Sequence, residues 1–299
     1  MRQWLRLSRP EFHTVGVFPL LLGAALGHAQ GGVVSWPALI LALLATMLIM
    51  LVTYWTGEVY DYEVDALSAT LERNRFSGGT LVLQSGGPPP QRVLAAAWLA
   101  AALALFIGLW LAWGMDYGAP LFVAGVLGAV MGFFYSTPPF RWAYRGLGEI
   151  FIAIAYGWLP VAVGVYITTR AWHWPLVLLF GAPVAISIFM VILINEFPDY
   201  PADRQVGKRN LVVRLGRERA AWLYVAMAVA FTLSLLVPAL SGQRAFLFAL
   251  PMALLALANA HAMWRGHWRD RQRLEGLCAR TIVLNLATTL LLTAGVLLT

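Results

Sequence analysis

The chain has a single cysteine, Cys278, among 299 residues. That excludes an intramolecular disulfide and any cysteine-built metal centre. Charge is nearly as scarce: Asp, Glu, Lys and Arg make up 12% of the residues, against 60% hydrophobic. Such a composition excludes an ordinary soluble domain. Low-complexity linkers are missing too, and the longest polar segment is only the stretch from about Gly57 to Gln91. The rest is a succession of apolar runs. Nine are long enough to cross a bilayer, at roughly 12–30, 36–57, 91–113, 118–135, 148–169, 174–197, 219–240, 244–264 and 279–298. The expected fold is therefore an all-α integral membrane protein of nine transmembrane helices, forming one membrane domain over 1–299. The basic start and apolar core of Met1–Gln30 have the outline of a signal peptide. The length of the run and the helices that follow read instead as a retained first helix.

Basic residues orient this bundle. Counting loops between the nine runs, the amino end and the even-numbered loops carry 19 of the 21 Lys and Arg, leaving Arg170 and Arg244 opposite. The amino terminus is thus expected in the cytoplasm and the carboxyl terminus outside. The formal charge of +7 is mainly a topology signal, spread over membrane loops, and does not indicate nucleic-acid binding. Of the 14 acidic residues, Asp116 alone falls on the outer side. Acids do not follow the positive-inside rule, so their concentration in the second and sixth loops needs another cause.

That cause is visible in two copies of Asp-x-x-x-Asp. Asp61-Tyr62-Glu63-Val64-Asp65 follows the second run and Asp199-Tyr200-Pro201-Ala202-Asp203 follows the sixth. Four helices separate them, so both helix ends point the same way. This spacing predicts two four-helix halves around a central cavity, plus a ninth helix. A lone acidic helix end is most simply a solvated one, because lipid rejects charge. The second copy argues against that. Residues four apart share a helix face, which groups Glu58, Asp61, Tyr62 and Asp65 in the first copy. Asn195, Asp199 and Asp203 group in the same way if the helix persists past Pro198 and Pro201. Paired carboxylates raise each other's pKa unless a cation holds them. Hard oxygen ligands at this density suit Mg²⁺ bridging to a diphosphate. The expected metal set is Asp61, Asp65, Asp199 and Asp203, with Glu58 and Asn195 as further oxygen donors.

Basic side chains cluster around the same mouth. Lys208 and Arg209 follow the second motif, Arg141 and Arg145 follow Pro138-Pro139, and Arg73-Asn74-Arg75-Phe76-Ser77-Gly78-Gly79 forms a compact turn. The backbone N–H groups of Gly78 and Gly79 suit an anion cradle. Arg9, Arg75, Arg141, Lys208 and Arg209 are the candidate diphosphate contacts, and Tyr60, Tyr135, Arg145 and Asn195 the candidate acceptor or cation pocket. Each basic residue taken alone is equally an ordinary cytoplasmic loop residue.

Taken together, these residues resemble the UbiA superfamily of intramembrane prenyltransferases over nearly the whole chain. The family's second motif, Asp-x-x-x-Asp, is intact. Its first, Asn-x-x-x-Asp-x-x-x-Asp, has Gly57 where the Asn would stand. Tyr144-Arg145-Gly146-Leu147-Gly148-Glu149, Asn195-Glu196-Phe197-Pro198-Asp199 and Gly207-Lys208-Arg209-Asn210-Leu211 are similar to the dihydroxynaphthoate polyprenyltransferases of menaquinone synthesis. The resemblance implies transfer of a polyprenyl group from a polyprenyl diphosphate to an aromatic acceptor. It also implies Mg²⁺ as cofactor, a bacterial inner membrane as the location, and an active-site mouth on the cytoplasmic side. Other acceptors, a terpene cyclase of the same superfamily and a non-enzymatic carrier stay open at this stage. Against the carrier, none of the motif acids lies at mid-membrane.

Overall fold

A computed structural model describes residues 1–71 and 73–299, and every regular element among them is helical. In chain order these are α1 (Arg2–Leu7), α2 (Thr14–Ala29), α3 (Trp36–Tyr60), α4 (Tyr62–Ser68), α5 (Pro90–Gly114), α6 (Gly118–Phe133) and α7 (Gly148–Thr169). There follow α8 (Trp174–Asn195), α9 (Tyr200–Gln205), α10 (Leu211–Leu215), α11 (Arg217–Leu240), α12 (Ala245–Trp264) and α13 (Arg271–Leu298). Seven of them, α3, α5, α7, α8, α11, α12 and α13, are long and apolar enough to cross a bilayer. The amino-terminal helical segments make an eighth crossing if their 45° bend lies within one span. The sequence expectation of nine also included α6, which is apolar but only 16 residues long.

Packing explains how the first helix reaches the carboxyl-terminal half. Helix α2 lies against both α7 and α13. At the α2–α7 crossing Gly23 faces Gly164. A Cβ on Gly23 would overlap the backbone of Val161, and one on Gly164 the backbone of Leu20. Small residues at this crossing let the two backbones approach, as membrane helices require when no hydrophobic force pairs them. Polar links tie α8, α11 and α13 together. Asn285 Nδ2 donates to Ser187 Oγ at 2.9 Å, and the Tyr224 and Thr281 hydroxyls pair at 2.6 Å.

The motif segments break the helical regularity. Helix α3 ends at Tyr60 and α4 restarts at Tyr62, so Asp61 stands at the joint. Helix α8 ends at Asn195 and α9 begins at Tyr200, so Asp199 takes the N-cap position. The expected continuous faces through Glu58–Asp65 and Asn195–Asp203 are thus both interrupted, the second at Pro198, which lacks an N–H and restricts the residue before it. The break brings the short helices α4 and α9 into contact, and with them the two motifs.

Candidate active site

All four motif aspartates are buried and line one cavity of about 610 Å³. Lys208 stands between the motifs, its Nζ 3.9 Å from Asp61 Oδ2 and 3.8 Å from Asp203 Oδ1. Asp61 accepts hydrogen bonds from Ser136 Oγ at 2.7 Å and from the Tyr144 hydroxyl at 2.8 Å. Asp199 accepts from Ser68 Oγ at 2.9 Å and from the Gly78 N–H at 2.7 Å. Asp203 accepts from Asn210 Nδ2 at 2.7 Å, while Asn210 Oδ1 caps α10 by accepting the Val213 N–H at 2.9 Å. Asp65 packs against the Gly78–Gly79 turn, so closely that a Cβ on Gly79 would overlap its carboxylate.

The electrostatics show a shortage of positive charge. Burial pushes the Asp65 carboxyl well above the usual range, and Asp61 beside it adds to the rise. Asp199 is also raised by burial, against the opposing pull of the Gly78 N–H and Lys208. Burial takes Asp203 up to about 7, although Lys208 pulls it down. Burial works against the Lys208 ammonium, yet Asp203 and Asp61 hold it protonated well above the ordinary lysine range. With Lys208 paired to Asp61 and Asp203, the carboxyls of Asp65, Asp199 and Asp203 still stay raised, which favours a further cation there. Among the described residues no three His, Cys, Asp or Glu side chains already close on one metal-sized point. The donor set nevertheless fits a hard divalent ion, with only oxygen donors, all buried, from two facing segments.

The other sequence-predicted residues divide sharply. Asn195 and Tyr135 line the cavity, as do Arg9 and Arg75. Arg9, however, is bound to Glu58 at 2.5 Å, and Arg75 reaches Glu275 at 3.0 Å on α13. Glu58 has both oxygens in use, accepting the Thr80 N–H and the Thr80 hydroxyl at 2.8 Å each. It is a tether between α3, the amino-terminal segment and the 73–80 turn, and lies off the cavity wall. Arg141 stacks on the Tyr144 ring, 3.7 Å from its centroid, and bonds the backbone oxygens of Ser136 and Tyr60. Arg145 is exposed and donates to the Pro139 carbonyl at 2.9 Å. Arg209 and Tyr60 are exposed as well, and neither they nor Arg141 and Arg145 border the cavity. The Gly78 N–H expected to cradle an anion donates to Asp199.

Sequence reasoning missed Ser68, Ser136, Tyr144, Asn210 and Arg73. The last lines the cavity and clamps the turn by donating to the Gly78 and Gly79 carbonyls. Hydroxyls and amides carry no charge pattern. Their role depends on which loop lands beside which motif.

A second, almost wholly apolar groove of about 300 Å³ runs between α3, α5, α6 and α7. It shares Met50 and Tyr156 with the polar cavity. Tyr156 sits in a π turn, Ile154–Trp158, within α7, a local widening often found where a helix serves a site.

A carboxylate-rich cavity thus lies beside a lipid-like groove. The chain belongs to the UbiA prenyltransferase family, whose model matches residues 16–297, and it is a prenyltransferase embedded in the membrane. It is 25% identical over 286 residues to the 2-carboxy-1,4-naphthoquinone phytyltransferase of Synechocystis sp., covering 95% of this chain and 88% of that one. It is 28% identical over 228 residues to the 1,4-dihydroxy-2-naphthoate octaprenyltransferase of Bacillus subtilis, covering 76% and 70%. The fold matches a UbiA homologue from Archaeoglobus fulgidus solved with GPP and Mg²⁺. There the TM-score is 0.64 at 19% identity, covering 98% of this chain and 99% of that one.

Proposed function

We propose that this protein transfers a polyprenyl group from a polyprenyl diphosphate to 1,4-dihydroxy-2-naphthoate. The observation that carries this reading is the junction of the two Asp motifs on Lys208 in a cavity that shares Met50 and Tyr156 with an apolar groove. Relatives named for naphthoate and naphthoquinone prenyl transfer support the acceptor. The Mg²⁺ and GPP of the archaeal neighbour support the metal and the donor class.

Asp61, Asp65, Asp199 and Asp203 would hold Mg²⁺, which supplies Lewis-acid stabilisation of the departing diphosphate oxygens. Lys208 adds a fixed ammonium between the motifs, and Arg73 and Arg75 border the cavity from the turn above. The polyprenyl tail lies in the groove, where small residues such as Ala45, Ala104, Gly125 and Gly128 leave room. Tyr156 and Met50 border both groove and cavity, where an allylic carbon would meet the ring. An aromatic face there stabilises positive charge, and the surrounding apolar wall excludes water that would quench it. The carbon–oxygen bond to diphosphate breaks to leave an allylic cation, the ring attacks it, and the ring carboxylate leaves as carbon dioxide, its carbon–carbon bond pair restoring the aromatic ring.

In the membrane we place the amino terminus in the cytoplasm, α6 as a ninth crossing, and the chain over 1–299 as one domain of a bacterial inner membrane. The basic loops and the apolar character of α6 support this. The test supplies lipid-embedded protein and Mg²⁺ with a polyprenyl diphosphate and single aromatic acceptors, products being read by mass. A prenylated, decarboxylated naphthoquinol is expected. Product from a hydroxybenzoate alone would move the acceptor, and a cyclised terpene without acceptor would replace transfer by cyclisation.

A further inference from the structure

Two cavity-lining side chains, Glu196 and Asn195, and Glu149 beside Glu196, carry oxygens that the aspartate machinery does not satisfy. Glu149, at the start of α7, is fully buried. One of its oxygens accepts the Leu211 N–H at 2.7 Å, and the other is buried without a partner. Glu196, just past α8, lines the cavity and keeps Oε2 buried without a partner. Its carboxyl lies near that of Glu149. Asn195 borders the same cavity with a buried, unpartnered Oδ1. The nearby ammonium, Lys208, is engaged by Asp61 and Asp203.

Buried acceptors in native proteins find donors. A partner for this wall is a cation or an O–H or N–H group, and the four aspartates already provide for the cation. A diphosphate cannot serve, being an acceptor throughout. A carboxylate would be repelled by the negative charge that this pair of acids carries. A ring hydroxyl fits both in polarity and in charge.

We propose that Glu196, backed by Glu149 and flanked by Asn195, is the docking point for a ring hydroxyl of the aromatic acceptor. It is a positioning residue that orients the ring toward the allylic carbon, and it places the acceptor's carboxylate away from this wall. The inference rests on the prenyl-transfer reading and adds to it which edge of the acceptor the protein grips. The hydroxyl that donates here also releases electron density into the ring, which favours its attack.

The test combines a residue change with a ligand change in lipid-embedded, Mg²⁺-supplied protein. Dihydroxynaphthoate and its monomethyl ethers are compared as acceptors in wild type, Glu196→Met and Glu196→Gln. In wild type the ether that blocks the docked hydroxyl should raise the acceptor KM at least tenfold. Glu196→Met should raise the KM of the dihydroxy acceptor at least tenfold and then treat that ether within threefold of it. Glu196→Gln, which keeps a carbonyl acceptor, should fall between. The KM for the donor should stay within twofold throughout, which a general collapse of the bundle would not allow. Should Glu196→Met not assemble, Glu196→Gln with the same ethers, and Glu149→Gln beside it, give the same comparison. An acceptor KM within twofold of wild type in the assembled variants, or penalties that simply multiply, overturns the docking role while leaving prenyl transfer intact. A wild-type protein that prenylates no ring overturns the transfer reading itself, and this inference with it.

Discussion

Lys208 is the residue through which the two aspartate motifs meet. Its ammonium forms ion pairs with both motifs. Lys208→Met should leave Asp61 and Asp203 buried without that partner, and should lower kcat/KM for the donor at least a hundredfold, or about 3 kcal/mol. An effect below fivefold would mean that the ammonium only fills space. The protonation of Asp203 gives a second prediction. Its carboxyl is raised to about 7 by burial, so the ligand-free fold favours the protonated form and gains stability from it as pH falls through 7. A divalent cation needs the ionised form, so metal affinity must move the opposite way. The Mg²⁺ concentration for half-maximal rate should rise as pH drops below about 7, by up to about tenfold per unit for one displaced proton. A requirement flat from pH 8 to 6 would remove Asp203 from the metal set. Glu58 gives the contrasting case, because its oxygens are committed to Arg9 and Thr80. Glu58→Gln should weaken the tether by roughly 2–4 kcal/mol, as for removing one partner of a largely buried pair, and lower the thermal midpoint. The Mg²⁺ requirement should hold within twofold; a tenfold shift would make Glu58 a ligand after all.

At the scale of helices, the groove between α3, α5, α6 and α7 sets how long a tail can be housed. Gly125 has open space where a side chain would begin, and Gly108 meets only the Phe122 ring. Filling the groove by Gly125→Phe should cut turnover of long polyprenyl donors at least tenfold relative to geranyl diphosphate. Equal loss for all donors would place the tail elsewhere. Much of this level was legible in the sequence. Apolar runs gave the long helices, because the bilayer allows few alternatives to a helix. The repeated Asp-x-x-x-Asp gave the four acids, because charge at a membrane boundary is costly without a use. Less legible were the breaks at Asp61 and after Asn195, where an unbroken helical face was expected. Those breaks, with loop packing, decide that Ser136 and Tyr144 reach Asp61 while Arg145 and Arg209 stay outside. Charge alone ranked the arginines equally. Contacts with Tyr144, Pro139 and Glu275 separated them.

At the scale of the whole molecule, the segment after α3 supplies Asp61 and Asp65 and the segment after α8 supplies Asp199 and Asp203, and neither makes the site alone. The 73–80 turn closes over both, its Gly78 N–H on Asp199 and its Arg75 on Glu275 of α13. The central claim is that the four aspartates act together through a divalent cation to release diphosphate. The most direct measurement is diphosphate release and prenylated product from lipid-embedded wild type and from the Asp61→Ala plus Asp199→Ala double variant, each with Mg²⁺ and with chelator. The account predicts product only from wild type with Mg²⁺, from a double variant that still inserts and folds. Full activity in the double variant, or undiminished wild-type turnover under chelation, would contradict it.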